Sequence, residues 1–336
     1  MTYWRPLPQT GPIRPREAVP IAGGWSWFTH AARLERGAAP EVVPAAEMPR
    51  EAMARIAAPR ADVAGLSMDR PRIMAILNAT PDSFSDGGLY GDVATGRARA
   101  RTLVAEGADI LDVGGESTRP GARPVPAEEE ARRVVPLVRA IAGDWAGAIS
   151  VDTRKASVAA AAAASGAGLL NDVSALTHDP GMAGVAARTG LPICLMHAQG
   201  DPQTMQAAPR YDDVLLDVYD HLEARIAAAE AAGIARARLV VDPGLGFGKT
   251  LEHNLALLAG LSLFHGLGCP ILLGASRKRF IGTIGGAADP LDRMPGSVAV
   301  ALAGIGQGVQ IIRVHDAGAT RQAIALWRAA IEGDEP

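Results

Sequence analysis

The chain has 336 residues, 48% hydrophobic and 21% charged, with a formal net charge of −3. Its length suits one α/β domain of about 250 residues plus a further segment, and its charge balance excludes bulk attraction to nucleic acid or an anionic membrane, so any anion site must be local. The two cysteines, Cys194 and Cys269, fit no metal or redox motif, and the absence of a secretory signal or an apolar run of ~20 residues leads us to expect a cytoplasmic protein.

In residues 1–70, prolines recur at Pro6, Pro8, Pro12, Pro15, Pro20, Pro40, Pro44, Pro49 and Pro59. Such spacing interrupts long helices and central strands. Yet Tyr3, Trp4, Trp25, Trp27 and Phe28 crowd the same stretch, and disordered tails are poor in aromatics. The reading is a Pro-rich, partly ordered N-terminal extension that packs its aromatics on the main domain. It would carry one short helix at 50–57 and no chemistry.

Residues 71–336 have another texture, in which short apolar runs alternate with Ala-rich amphipathic stretches. Eight runs read as strands: Ile73–Asn78, Ile110–Gly114, Ile149–Asp152, Leu169–Asp172, Ile193–His197, Leu239–Asp242, Ile271–Gly274 and Gln310–His315. Their near-continuous apolarity is that of a parallel sheet buried on both faces. Helical patterns fill 94–106, 128–141, 155–165, 211–232, 293–306 and 316–331. Eight strand–helix repeats predict an α/β fold, the (β/α)8 TIM barrel. A doubly wound sheet is the alternative, but Ile76-Leu77-Asn78-Ala79-Thr80-Pro81 lacks the glycine-rich fingerprint expected after its first strand.

Nearly every predicted strand ends in a residue too polar for a core. The ends carry Asn78, then Glu116-Ser117-Thr118-Arg119, Asp152, Asn171-Asp172, Met196-His197, Asp242, Ser276-Arg277-Lys278, and finally Arg313 with His315. In a barrel these ends converge on one mouth, where active sites are built. A helix cap is the simpler reading for Asp152, Asp172 or Asp316 singly, but not for all the ends together. Arg313, His315 and Lys278 suit phosphate oxygens. Asp152, Asn171 and Asp242 suit the donor–acceptor edge of a nitrogen-rich heterocycle. The combination points to a phosphorylated heterocycle. No His or Cys cluster marks a metal centre, although a pyrophosphate substrate would bring Mg²⁺, which needs few protein ligands. Loops rich in Gly, Ser, Asp and Pro, at 80–88 and 114–121, have the composition of a lid. Phe84 in the first of them suggests a ligand cover. The loop Asp242–Lys249 has the same character.

These segments resemble the signatures of the dihydropteroate synthase family, in that family's order. They are Ile76–Gly88, Gly114–Gly121, Asp242–Lys249, Ser276-Arg277-Lys278 and Arg313-Val314-His315-Asp316. The resemblance runs from about residue 72 to the C-terminus. It implies condensation of 6-hydroxymethyl-7,8-dihydropterin pyrophosphate with 4-aminobenzoate, releasing pyrophosphate, in folate biosynthesis by a sulfonamide-target transferase. By the same resemblance, Asp152, Asn171, Asp242 and Lys278 would bind pterin, with Met196 as an apolar wall. Asn78, Thr118, Arg119, Arg313 and His315 would bind pyrophosphate, Asn78 also serving Mg²⁺. Thr118, Pro120, Phe247 and Lys278 would bind 4-aminobenzoate. Asp152, Asp242, Lys278, Arg313 and His315 would act in catalysis, in a homodimer. Two positions depart from the pattern: Arg279 stands where serine is frequent, and Leu245 where an aromatic is common.

A pterin-binding methyltransferase domain would share the barrel and the Asp/Asn cradle but needs no pyrophosphate clamp. A non-catalytic paralogue would not need both loops intact. His178, His221, His253 and His265 read as surface or cap residues, and Lys249 as a solvated loop charge. His197 reads equally as a pocket residue or as strand-end packing. Arg97, Arg99 and Arg101 read as a solvated helix face.

Overall fold

A computed structural model describes residues 1–79, 88–117, 122–200 and 205–333. Near the N-terminus, β1 (Thr2–Pro6), β2 (Val19–Pro20), β3 (Trp27–Phe28), β4 (His30–Glu35) and β5 (Glu41–Pro44) make two small antiparallel sheets, β1-β4-β5 and β2-β3. The prolines do not forbid this. Pro6, Pro20 and Pro44 are each the last residue of their strand, where a missing N–H interrupts no central ladder. Helix α1 (Arg50–Ala57) follows at the predicted place. Ile21, Phe28, Ala31, Ala45, Met48 and Ile56 form a small core of their own. Other side chains cross to the barrel: the Tyr3 ring meets Tyr219 edge-on at 5.5 Å, and Trp25 Nε1 donates to Ile305 O at 2.8 Å.

The barrel follows from the two-residue period of strands, which sends alternate side chains to opposite faces. Its strands are β6 (Arg72–Asn78), β7 (Ile110–Gly114), β8 (Ala148–Asp152), β9 (Leu169–Asp172), β10 (Ile193–Met196), β11 (Leu239–Asp242), β12 (Leu272–Leu273) and β13 (Ile311–Val314). Each predicted strand lies within one residue of these bounds. All pair in parallel, in the order β11-β10-β9-β8-β7-β6-β13-β12, and a Val241–Ile271 bridge joins the two ends. This is the expected (β/α)8 architecture. Outward residues such as Ala75, Val113, Val151, Leu195, Val241 and Ile312 pack under the helices. Inward, every strand gives one residue to a second apolar cluster: Met74, Ile110, Ala148, Leu169, Cys194, Val240, Leu272 and Ile311. Val63 and Met68, just before β6, join that cluster at the N-terminal ends of the strands.

The next inward position of each strand, two residues on, is Ile76, Asp112, Ser150, Asn171, Met196, Asp242, Gly274 or Arg313. The barrel interior therefore changes from apolar to largely polar within one pleat, toward the C-terminal ends where the site is built.

The covering helices are α2 (Gly88–Ala105), α3 (Ala127–Asp144), α4 (Ala156–Ala164), α5 (Met182–Thr189), α6 (Val214–Ala231), α7 (Leu251–Ala259), α8 (Arg279–Gly285), α9 (Met294–Gly306) and α10 (Ala317–Glu332). Sequence patterning did not give α5, α7 and α8, which span only 8, 9 and 7 residues. An apolar stripe repeats too few times over that length to stand out. Among the described residues no helix is long and apolar enough to cross a membrane.

Tyr3 is 3% exposed and its hydroxyl donates to the Asp220 carboxylate on α6 at 2.8 Å. Replacing a buried aromatic of this size by alanine costs about 3–5 kcal/mol. We expect Tyr3→Ala to lower the urea midpoint of the whole barrel. A midpoint equal to that of the parent chain would mean that the N-terminal segment contributes nothing to barrel stability.

Candidate active site

Arg313 lies on the inward face of β13, and its guanidinium spans two strands. Nε donates to Asp112 Oδ2 of β7 at 2.6 Å, and Nη2 donates to Asp152 Oδ2 of β8 at 2.7 Å. Asn171 of β9 donates its amide to the same Asp112 oxygen at 3.2 Å. Four strands thus contribute to one buried polar cluster. Burial pushes the Asp152 carboxyl up to about 7; Arg313 opposes this shift and the negative charge of Asp112 adds to it. Asp152 is not a helix cap: Lys155 holds the N-cap position of α4. Gly114 is its register partner on β7, where a Cβ would make ordinary contact with Asp152 Cβ at 3.5 Å.

Across the mouth, Asp242 ends β11 and accepts from Gly244 N at 2.7 Å. Burial raises its pKa as well, with Lys278, the Gly244 N–H, Lys249 and Arg313 opposing. Lys278 donates to Leu245 O and places Nζ 4.5 Å from the centre of the Phe247 ring, a cation–π contact. Burial pulls its ammonium down to about 8; the Asp242 charge opposes that fall and Arg313 adds to it. The preceding Arg277 has φ +59, an uncommon conformation for a side-chain-bearing residue. Its guanidinium clamps Asp316 at 3.0 and 2.5 Å, and its amide donates to Ser297 Oγ at 2.9 Å, so several contacts hold the turn. His315, half-buried, contacts Ser276 Oγ through Nδ1 at 3.0 Å.

The structure therefore brings Asp152, Asn171, Asp242, Lys278 and Arg313 into one connected mouth. Met196 is buried at the end of β10, and Asn78 is half-buried at the end of β6. Thr118, Arg119 and Pro120 lie outside the described residues, as does the loop 80–87 with Phe84. Of the second loop, Glu116 is described: it accepts from Val125 N at 2.8 Å and pairs with Lys155 at 3.0 Å and Arg154 at 3.2 Å. Arg279 is exposed at the first turn of α8.

Some single-residue readings change. Lys249 is not a solvated charge; it is 3% exposed and donates to Gly244 O and Phe247 O. His265 is fully buried, with Nε2 2.9 Å from Gln307 O and its carbonyl accepting from Arg60. His221 stacks edge-on against His197 at 4.7 Å. His253 keeps its cap role in a capping box with Thr250. Asp172 closes a turn on Ser174 and Leu176, outside the Arg313 cluster.

Asp112 was missed. It is fully buried inside an apolar strand rather than at a strand end. The signal was present: Asp112 is two residues from Ile110 and so faces inward with the site.

Among the described residues, no group of three or more His, Cys, Asp or Glu side chains is placed to hold a metal ion. The arrangement can neutralise an anion with Arg313, His315 and Lys278 while presenting carboxylate and amide oxygens to hydrogen-bond donors.

Residues 74–315 match the pterin binding enzyme family. The dihydropteroate synthase of Escherichia coli (strain K12) is 48% identical over 270 residues, covering 80% of this chain and 95% of its own length. Among solved structures, the dihydropteroate synthase of Xanthomonas albilineans with 4-aminobenzoic acid is 49% identical. It superposes with a TM-score of 0.76 over 81% of this chain and 98% of that one. The dihydropteroate synthase of the same organism in complex with 7,8-dihydropteroate is 46% identical, with a TM-score of 0.73 and the same coverage.

The raised pKa of Asp152 gives a direct test. A carboxyl-carbon NMR titration should place its midpoint near 7, and Asp112→Asn should move the midpoint down by removing a neighbouring negative charge. An unmoved midpoint would mean that the two carboxylates are not electrostatically linked.

Proposed function

The chain belongs to the pterin-binding enzymes and, among them, to the dihydropteroate synthases, and on that membership we propose a role for each side chain at the barrel mouth. These transferases of folate biosynthesis join 6-hydroxymethyl-7,8-dihydropterin pyrophosphate to 4-aminobenzoate and release pyrophosphate. The observation that carries the assignment of roles is the Arg313 guanidinium held between Asp112 and Asp152 beside Asn171. It sets a cation for the leaving group against the carboxylate and amide edge that reads a pterin.

In this reading Asp152, Asn171 and Asp242 hydrogen-bond the pterin edge, with Lys278 at the rim and Met196 as apolar wall. An arriving pyrophosphate competes with Asp152 for Arg313, which frees Asp152 for the ring. His315 and Asn78 complete the pyrophosphate side. The CH2–O bond breaks and its electron pair leaves with pyrophosphate. Asp152 and Asp242 stabilise the positive charge that the ring takes up. The amine lone pair of 4-aminobenzoate then forms the new C–N bond and its proton is lost. Phe247 and Lys278 line the aminobenzoate side. Thr118, Arg119 and Pro120 carry the roles that the resemblance gives them.

Mg²⁺ fits this donor set. Asn78 offers a hard amide oxygen at a half-buried strand end, and an ion that arrives with a pyrophosphate keeps most of its waters and needs few protein ligands. When bound, it would neutralise charge on the departing pyrophosphate. We further infer a cytoplasmic homodimer from the family resemblance. Residues 1–70 are proposed as an extension outside the catalytic unit, in keeping with a family match that begins at residue 74.

Purified protein supplied with the pterin pyrophosphate, Mg²⁺ and 4-aminobenzoate should form dihydropteroate and pyrophosphate in equal amounts. Arg313→Ala and Lys278→Ala should each lower kcat/KM by about 100-fold or more; full activity in either would remove that residue from the site. A ring cation that forms before the amine attacks also predicts slow formation of 6-hydroxymethyl-7,8-dihydropterin when aminobenzoate is withheld, with its hydroxyl oxygen drawn from labelled water. Failure of that label to enter would argue for attack concerted with departure.

A further inference from the structure

The loop from Gly244 to Lys249 carries Phe247 and the Leu245 carbonyl that receives Lys278. Its path is tight. At Gly244, φ +66, a Cβ would stand 1.8 Å from His197 O; at Gly248, φ +63, it would stand 2.5 Å from Gln199 O. The glycines therefore let the loop backbone lie against the chain that leaves β10.

Lys249 closes this arrangement from within. Its Nζ lies 2.8 Å from Gly244 O, 3.0 Å from Phe247 O, 3.4 Å from His197 O and 2.9 Å from His197 Nδ1. Burial pushes its ammonium well below the ordinary lysine range, and Asp242 opposes that shift. A buried lysine is costly unless its donors are met. Here they are met by the loop's own carbonyls and by the residue after β10. His197 Nδ1 accepts from Lys249 in the tautomer that carries the ring proton on Nε2. Tyr211 Oη adds a bond to Gly248 O at 2.8 Å, and Asn254 Oδ1 accepts from Gly246 N at 2.6 Å.

We propose that Lys249, seated on His197, is a positioning residue that sets the aminobenzoate side of the site by fixing Phe247 and the Leu245 carbonyl relative to Lys278. The inference rests on the reading above that Phe247 and Lys278 line that side. Lys249 need not touch either substrate, and the part of the pterin cradle on β7, β8 and β9 is built without it, whereas Asp242 and Lys278 adjoin the loop it holds. Its loss should therefore fall more heavily on 4-aminobenzoate than on pterin pyrophosphate, which a general loss of stability would not do.

The test is steady-state kinetics with both substrates varied, beside calorimetric binding of the pterin pyrophosphate alone, for Lys249→Met, His197→Phe and Phe247→Ala. Lys249→Met should raise KM for 4-aminobenzoate about tenfold or more and leave pterin pyrophosphate affinity within about threefold of the parent. His197→Phe, which removes one of the four acceptors, should shift the same KM in the same direction by less. Equal losses for both substrates, or no change in either, would overturn the proposal. Should Lys249→Met fail to fold, His197→Phe decides: a selective rise in aminobenzoate KM supports the staple, and an unchanged KM overturns it. Phe247→Ala separates the two layers of the argument. If it leaves the aminobenzoate KM unchanged, the assignment of that side of the site fails. If it raises that KM while Lys249→Met does not, the assignment stands and the staple fails.

Discussion

A guanidinium inside a closed barrel gives up water that other polar groups must replace, and carboxylates do so with opposite charge. Arg313 satisfies that condition with Asp112 on β7 and Asp152 on β8, and much of the mouth is organised around the three. The arrangement depends on register. A slip of one residue in β13 would turn Arg313 into the helix layer and Ile312 into the mouth. Asp112 and Asp152 likewise sit on the inward alternation of their strands, two and four residues past the apolar cluster that fills the barrel below. Packing at the N-terminal ends of the strands thus fixes the geometry of charges at the C-terminal ends.

The second half of the mouth is held differently. Asp242 and Met196 stand on strands, but Lys278 and Phe247 stand on connections, and these are stiffened by contacts that ordinary surface loops lack. Arg277 holds a left-handed backbone conformation against Asp316 and Ser297. Lys249 is buried beneath the glycine turns, and Lys278 bridges the two connections through Leu245 O and the Phe247 ring. A loop restrained at this many points acts as part of the scaffold, which a site needs when its reacting groups must stay aligned.

What the sequence made legible follows the same division. Strands read to within one residue because a parallel barrel buries both faces, and few other arrangements write such unbroken apolar runs. The strand-end residues Asp152, Asn171, Asp242 and Arg313 were legible as one polar mouth because polarity after an apolar run has few structural explanations. Lys249 and His265 did not read, because a lone charged or polar residue in a loop looks solvated until the chain that folds over it is known. Asp112 failed for another reason. It interrupts an apolar run from inside, and only the in–out alternation of β7, anchored on Ile110, reveals which way it points. The N-terminal prolines argued only against long helices and central strands, and the short strands there went unread because proline at a strand's last residue costs little.

The raised pKa of Asp152 then has a meaning for both stability and chemistry. Its carboxyl goes from 3.8 to about 7 on folding, chiefly through burial. Between those values the folded chain binds more protons than the unfolded one, so this group's contribution to stability falls as pH rises through the window. An ionised Asp152 is therefore a charge that the fold holds at a cost, with Arg313 offsetting only part of it. In the proposed reading, a neutral pterin would relieve that cost by donating hydrogen bonds. On the same proposal, a ring that takes up positive charge as pyrophosphate leaves would relieve more of it, with Arg313 drawn toward the departing anion. An interaction that strengthens in this way along a reaction coordinate lowers a barrier beyond merely tightening substrate binding.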